Sequence, residues 1–285
     1  MYEFLCYFVI YSFLGWCMEV AYAAVNSGRF VNRGFLNGPV CPIYGFGMII
    51  VISCLTPLLY NKVFLFLGAV VLTSALEWVT GFALEKIFHG KWWDYSEMPF
   101  NLNGYICLKF SIMWGLACVL IMDVIQPVIF TIVSKLPVTA GWILLSAICA
   151  VMLADAISTV VTVNNLNKQL ARLSEISEKL REVSDDLGEN IYESVTTIKE
   201  KSEAIKERSE ELKEELERKA EGLEKRAEAL EKRAGDFRNE LRNAYEEEIE
   251  RHFFGQKRML KAFPNLKSIA NGEHLTKLKD KIKQL

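Results

Sequence analysis

The sequence predicts an all-α protein, in which a polytopic membrane bundle of about five transmembrane helices precedes a long cytoplasmic coiled-coil helix or helical hairpin. The first observation behind this prediction is the distribution of charge. Residues 1–163 hold 7 of the 33 Lys and Arg residues and 8 of the 35 Asp and Glu residues, too few to cover a soluble surface. Residues 164–285 hold all the others and have too few apolar residues for a globular core, but enough for one helical seam.

This distribution divides the chain into three segments. We predict a transmembrane bundle at 1–163, a charged coiled coil at 164–250 and a basic amphipathic C-terminal segment at 251–285. A single soluble enzyme domain is inconsistent with this division, because neither the first nor the second segment has the mixed composition of such a domain.

The second observation is a series of long apolar runs. A helix of roughly 20 apolar residues spans the hydrocarbon layer of ~30 Å. Five runs approach this length: Tyr2–Val25, Ile43–Leu59, Val63–Phe88, Ile106–Ser134 and Val138–Val163. The breaks at 60–62 and 135–137 are short, so the helices on either side of each break should form hairpins, while longer loops lie at 26–42 and 89–105.

The basic residues near the spans predict the orientation, because Lys and Arg stay on the cytoplasmic side. The side with the two longer loops and the tail carries most of them, whereas the other side has only Lys62 and Lys135. We therefore expect a plasma-membrane protein with its N-terminus outside and its tail in the cytoplasm.

Known catalytic and metal-binding patterns are absent from the sequence. It contains no phosphate loop, no nucleophile elbow and no H-E-x-x-H pair. Three histidines are too few for a zinc site, and seven cysteines without a C-x-x-C spacing do not indicate a disulfide framework. The sequence predicts no catalytic residue, no metal and no cofactor, although an intramembrane enzyme acting on lipid through paired carboxylates stays open.

Ionisable residues within the spans are the candidates for function, since each costs about 2.5–3.5 kcal/mol to insert. Glu77, Gly81 and Glu85 follow one another at helical spacing, which places both carboxylates on one helix face. Glu19 lies in the first span, whereas Asp123 and Asp155 receive no role from the sequence.

One interpretation is a cytoplasm-facing polar cavity that binds a substrate. Its predicted lining consists of Glu19, Arg33, Glu77, Glu85, Tyr44, Trp93, Asp94 and Asn101. The alternative is structural: the carboxylates pair with Arg33, Lys86 or Lys109, and the tryptophans lie in the interfacial aromatic belt. The sequence leaves both interpretations open.

Four motifs together resemble a known family. They are Tyr-Ser-Phe-Leu-Gly-Trp at 11–16 followed by Glu19, the glycine- and proline-rich block at 33–47, the acidic stripe at 77–85, and Trp-Trp-Asp-Tyr at 92–95. The first 160 residues thereby resemble the putative ABC-transporter type IV permease family (CmpB-like). The resemblance implies a permease that moves an unknown small solute and is driven by a separate ATPase subunit.

Heptad spacing predicts the structure of the tail. Leucines at 216, 223 and 230 and Phe237 occupy one seam position, and alanines at 220, 227 and 234 the other. This pattern favours self-association into a homo-oligomer or a hairpin over a solvated single helix. The predicted hinge is 185–190, where glycine and short polar residues meet a skip in the seam.

The basic C-terminal segment suggests an acidic partner. Residues 251–285 carry nine Lys and Arg against two acidic residues, a composition that suits anionic lipid or an acidic protein. Nucleic acid is not expected, because stacking aromatics and a recognition fold are lacking. A second function, that of a membrane-anchored scaffold or envelope-organising protein without transport activity, would use this tail.

Overall fold

The structure is a computed structural model that describes residues 1–205 and 210–284. Some side chains in the long helices are outside the description, namely those of 190–191, 194–195, 198–199, 201–205, 210–220, 223–224, 226–227, 230 and 284. The chain forms two compact units. We call residues 1–167 with 252–285 the membrane unit, and residues 168–251 the hairpin unit.

Helices make up most of the described chain. Their bounds are α1 Tyr2–Ser27, α2 Pro42–Leu55 with a 3₁₀ turn at Thr56–Leu58, α3 Lys62–Phe88, α4 Leu108–Leu120, a π-helical turn at Ile121–Ile125, α5 Gln126–Ser134, α6 Val138–Ile205, α7 Glu210–Glu250, α8 Gln256–Ala262 and α9 Gly272–Gln284. In the same described part of the chain, four short strands accompany them: β1 Gly90–Lys91, β2 Asn101–Leu102, β3 Ile106–Cys107 and β4 Lys267–Ser268.

Local sequence explains where the membrane helices begin and end. Gly28 adopts a left-handed conformation (φ 67°) and its N–H bonds to Ala24 O, which closes α1. Pro42 begins α2, where the missing N–H costs no hydrogen bond. The Asn61 side chain accepts hydrogen bonds from the N–H groups of Val63 and Phe64 and so caps α3.

The predicted all-helical membrane bundle is confirmed. Among the residues that the structure describes, four helices are long and apolar enough to cross a membrane, and they correspond to the first, third, fourth and fifth predicted spans. The second predicted span is the shorter apolar helix Pro42–Leu58. The core includes Tyr11 from α1, Val51 from α2, Leu65 from α3 and Cys118 from α4.

Two loops and the C-terminal segment meet at one end of the bundle. We call residues 28–41 the first loop and residues 89–107 the second loop. The second loop contains the antiparallel pair β2–β3, in which Asn101 lies opposite Cys107. Its strand β1 pairs with β4, and Gly90 lies opposite Ser268. The C-terminal segment, residues 252–285, is therefore part of the membrane unit.

The C-terminal segment buries its own apolar side chains within the membrane unit. Met259 of α8 and Leu278 of α9 are fully buried, and Leu275 and Ile282 are nearly so. Trp92 of the second loop packs edge-on against Phe263, with ring centroids 4.8 Å apart. The apolar face of α9 is thus covered by protein, whereas Lys277 and Lys283 of the same helix are exposed.

The hairpin unit consists of the second part of α6 and the whole of α7. The Gln169 side chain donates to the backbone carbonyls of Glu248 (2.6 Å) and Arg251 (2.8 Å). Arg172 forms an ion pair with Glu248 at 3.7 Å. These contacts bring the two ends of the unit together, which is the arrangement of a helical hairpin.

The predicted hinge at 185–190 is wrong. Helix α6 runs without interruption from Val138 to Ile205, so it passes straight through this segment. A single glycine at 188 costs only about 1 kcal/mol relative to alanine within a helix, and neighbouring residues with high helix propensity offset this cost. Of the predicted heptad seam, the side chains of Leu216, Ala220, Leu223, Ala227 and Leu230 lie outside the described residues.

Candidate functional site

Three predicted site residues from three different segments meet near the end of α1. The Tyr44 hydroxyl of α2 donates a hydrogen bond to Glu19 Oε1 at 2.5 Å. Arg33 of the first loop pairs through its Nε with Glu19 Oε2 at 3.2 Å. The Arg33 guanidinium also lies over the Tyr22 ring, 4.9 Å from its centroid. Glu19 therefore has a partner for each carboxylate oxygen.

A glycine in α1 makes the Tyr44 contact possible. A methyl group added to Gly15 would lie 2.3 Å from Tyr44 Cγ, closer than any real contact. Tyr44 also packs against Trp114 of α4, with ring centroids 5.9 Å apart. The glycine of the Tyr-Ser-Phe-Leu-Gly-Trp motif thus provides the space for the tyrosine that binds Glu19.

Glu77 has fewer hydrogen-bond partners than Glu19. Its Oε2 atom is buried and has no hydrogen-bond partner. The side chain interacts with the phenol of Tyr95 in the second loop, and none of the ion pairs among the described residues involves Glu77. Burial, and after it the Glu77 carboxylate, raises the pKa of Tyr95 above its usual value. Tyr95 is therefore neutral at physiological pH and able to donate a hydrogen bond.

The two acidic groups share one neighbourhood. Tyr95 interacts electrostatically with Tyr44 and Glu19 as well as with Glu77. The ring of Tyr95 stacks on Phe110 of α4, with centroids 4.8 Å apart. We call Glu19, Arg33, Tyr44, Glu77 and Tyr95 the polar centre. Its side chains come from α1, the first loop, α2, α3 and the second loop.

Glu85 has a different set of partners. The Tyr105 hydroxyl donates to Glu85 Oε2 at 2.7 Å, and burial together with this carboxylate raises the pKa of Tyr105 to about 12. Trp93 donates through Nε1 to the Tyr105 carbonyl at 2.9 Å. A methyl group on Gly81 would lie 2.9 Å from the Tyr105 ring, so the glycine between the two glutamates lets the second loop pack on α3.

Asp94 is bound within the second loop and to the C-terminal segment. Its carboxylate accepts from Lys267 Nζ at 2.6 Å and from the hydroxyl and backbone N–H of Ser96. The Lys267 ammonium, and after it the Ser96 hydroxyl, lowers the pKa of Asp94 below its usual range. Asp94 therefore belongs to the contacts that hold the second loop to β4, through its bond with Lys267.

Asn101 fixes the turn of the second loop. Its Nδ2 donates to the carbonyls of Ser96 (3.1 Å) and Met98 (2.8 Å), and its Oδ1 accepts from the N–H of Gly104 (3.2 Å). Asn101 is exposed and has all its polar atoms engaged by its own loop.

Two residues that received no role from the sequence hold the first loop. Asp155 of α6 accepts three hydrogen bonds from Asn37 and Gly38. Arg258 of α8 donates to the carbonyls of Gly34 and Phe35. The sequence did contain a signal for Asp155, because an acidic residue in an apolar span usually has a specific partner. Nothing in the sequence distinguished Arg258 from the other basic residues near it.

The remaining acidic residue in a span, Asp123, has a structural partner, and no metal site is formed by the described residues. Asp123, in the π-helical turn, pairs with Lys62 at 2.5 Å. Across the residues that the structure describes, no group of three or more His, Cys, Asp or Glu side chains is placed to hold a metal ion.

The apolar helices and the polar contacts between them define the chain as a polytopic membrane protein. Residues 6–160 match the family described as Putative ABC-transporter type IV, and the chain belongs to this family. The resemblance carried by the four sequence motifs is thereby confirmed. No curated protein and no solved structure matches the chain.

Proposed function

We propose that the chain is the membrane subunit of a transporter, which moves a small solute through the polar centre and works with a separate ATPase subunit. The family description and the apolar helices support a transporter component. In this proposal the N-terminus lies outside the cell, and the two loops and the hairpin unit lie in the cytoplasm, as the distribution of Lys and Arg favours.

The observation that carries the proposal is the state of Glu77. A carboxylate in an apolar span is costly, and residues of this kind are usually retained for transport or proton transfer. Arg33 balances Glu19, whereas Glu77 has one buried oxygen without a partner. Such an atom can accept a hydrogen bond from a passing solute or bind a proton.

The neighbouring tyrosines fit the same role. Tyr44 and Tyr95 bring hydroxyl groups from α2 and the second loop to the two carboxylates. Neutral phenols both donate and accept hydrogen bonds. They can therefore bind polar groups of a solute while Glu19 stays paired with Arg33.

The test is uptake in cells that carry all of the partner subunits. A strain without the gene is compared with the same strain expressing the full chain, over a panel of radiolabelled small solutes. For a solute whose uptake depends on the chain, we expect Glu77→Gln to lower the uptake rate at least tenfold. The substitution keeps the shape of the side chain and removes its charge.

Asp123→Asn is the matched control, because Asp123 is also an acidic residue in a span but is paired with Lys62. It should keep at least half of the wild-type uptake, with both variants present in the membrane at the wild-type level. Wild-type uptake in Glu77→Gln cells would contradict the role of the polar centre. If uptake of no solute depends on the chain, transport itself is refuted.

The scaffold function is a second proposal, and the hairpin unit favours it. The bonds from Gln169 to Glu248 and Arg251 close the base of this unit. Its helices extend far from this base, which suits self-association or contact with another protein. Lys277 and Lys283 of α9 are exposed. In this proposal they contact anionic lipid or an acidic protein, although the apolar face of that helix is covered.

Shortening the hairpin separates the two functions. Residues 177–243 are replaced by a short glycine-serine turn, which preserves the base at Gln169 and Arg172 and the whole membrane unit. A transporter should retain measurable uptake after this change. A scaffold should lose its partner or its self-association, which crosslinking in intact cells detects. For a scaffold, uptake of the panel solutes should also be the same in the wild-type strain and in the strain without the gene.

A further inference from the structure

The first loop is held from two sides by charged side chains. On one side, Asp155 of α6 accepts hydrogen bonds from the backbone N–H groups of Asn37 (3.1 Å) and Gly38 (2.7 Å) and from the Asn37 side chain (2.8 Å). A methyl group on Gly38 would lie 3.3 Å from Asp155 Oδ2, so the loop backbone runs close against the carboxylate. Hydrogen bonds to a charged acceptor are about twice as strong as neutral ones.

On the other side, Arg258 of the C-terminal segment binds the loop carbonyls. Its Nη1 donates to Gly34 O at 2.8 Å and its Nη2 to Phe35 O at 2.9 Å. The Arg258 side chain is partly buried, and it interacts electrostatically with Asp155. Burial lowers the pKa of Arg258, and the Asp155 carboxylate acts in the opposite direction.

These contacts meet a requirement of the loop's position. Much of the first loop is buried or half-buried, and buried backbone N–H and C=O groups need hydrogen-bond partners within the protein. Asn32 Nδ2 donates to Asn37 O at 2.8 Å and the Cys41 N–H donates to Ser12 O at 2.8 Å. Asp155 and Arg258 supply the charged partners of the same stretch.

The polar centre depends on this stretch, because Arg33 directly precedes Gly34. The Arg33 side chain reaches Glu19 at 3.2 Å, and the next two carbonyls along the chain are the ones that Arg258 binds. A shift of the loop by an ångström or two would therefore separate Arg33 from Glu19 and change the charge beside Tyr44.

We infer that Asp155 and Arg258 are positioning residues of the polar centre, because they hold the first loop so that Arg33 stays on Glu19. The effect of this positioning on uptake rests on the proposed transport function. The clamp on the loop is a separate claim, which can be measured without a substrate.

Cys41 reports the state of the clamp. It ends the first loop, and only 4% of its surface is exposed. Burial raises the pKa of the Cys41 thiol to about 12, so the reactive thiolate is scarce while the loop is closed. Cys118, in α4, is equally buried. It serves as an internal control for loosening of the whole bundle.

The experiment measures the reaction of N-ethylmaleimide with the full chain in membrane vesicles, and mass spectrometry resolves each cysteine. We expect Arg258→Ala to raise the labelling rate of Cys41 at least tenfold and to leave that of Cys118 within twofold of wild type. Asp155→Asn should also accelerate Cys41, because an amide cannot accept all three hydrogen bonds. Arg258→Lys should have a smaller effect, since an ammonium lacks the planar fork that binds two carbonyls.

Lys257→Ala is the matched control, since Lys257 is exposed and next to Arg258 in the chain. It should not change the labelling of Cys41. An unchanged Cys41 rate in Arg258→Ala would overturn the clamp, and so would an equal rise at Cys118, which indicates general unfolding.

Uptake then tests the link to the polar centre. In the cell assay for the proposed function, Arg258→Ala should lower uptake at least fivefold, whereas Lys257→Ala should not. Faster labelling of Cys41 with wild-type uptake would overturn the positioning role and leave the Glu77 result standing. Wild-type uptake in Glu77→Gln would refute the proposed function, while the labelling result would still show whether the clamp exists.

Discussion

The two units of this protein use polar side chains in different ways. In the membrane unit, the polar contacts join residues far apart in sequence, such as Asp155 with Asn37 and Arg258 with Gly34. On the helices of the hairpin unit, away from its base, ion pairs join residues one turn apart, such as Lys179 with Glu175. The difference follows from the surroundings of each charge.

A charge in an apolar bundle has few alternatives to a protein partner. Its interaction with that partner is weakly screened, and an unpaired group is costly. A charge on a solvated helix is satisfied by water whether or not its neighbour is present, so the pair contributes little. The comparison teaches that a small number of buried charges determines the structure of the membrane unit. The many charges of the hairpin unit mainly make its surface soluble in water.

The largest effect on stability is expected when a buried hydrogen-bond acceptor is removed. Asp155→Ala should lower the free energy of unfolding of the membrane unit by about 2–4 kcal/mol, because three donors lose their charged acceptor. All 6 Trp residues lie in this unit, so their fluorescence during denaturation in detergent micelles reports it alone. Asp185→Ala, in the hairpin unit, is the control and should leave the fluorescence transition unchanged. Equal effects of the two substitutions would contradict the comparison.

An intermediate effect is expected for the pair of Asp94 and Lys267, which joins the second loop to β4. Because the pKa of folded Asp94 lies below its ordinary 3.8, the unfolded chain binds the proton more tightly. The stability that this pair contributes is therefore present above pH 3.8 and is lost as the pH falls below that value.

The measurement is the midpoint of the fluorescence transition between pH 6 and pH 3, for wild type and Asp94→Asn. The variant should have a lower midpoint at pH 6 and a weaker dependence on pH. Lys267→Met should weaken the dependence in the same way, since it removes the first cause of the pKa shift. Parallel pH curves for all three proteins would show that Asp94 does not determine this dependence.

The smallest effect is expected in the hairpin unit. Lys179→Ala removes an exposed ion pair with Glu175 and should leave thermal unfolding, followed by far-UV circular dichroism, unchanged. Leu173→Ala in the same unit is the contrasting control, because Leu173 is fully buried and its truncation should cost about 2–5 kcal/mol. A larger loss from Lys179→Ala than from Leu173→Ala would reverse the assignment of what stabilises this unit.

The sequence predicted the helical framework well because long apolar runs have one stable solution in a bilayer. It also identified Glu19, Arg33 and Tyr44, which the structure brings together. It grouped Asp94 and Asn101 with them, whereas their bonds lie within the second loop and to Lys267. The hinge at 185–190 failed because local glycine preference is weak beside the continuity of a long helix.

The sequence by itself determined that this chain spans a membrane and carries a charged helical tail, since hydrophobicity and helical periodicity are properties of neighbouring residues. Only the tertiary structure decided which charges meet. Arg258 lies 224 positions from Gly34, and no local pattern encodes such a contact. Its partner is determined by how β4, α8 and the loops pack, and packing depends on the shape of the whole unit.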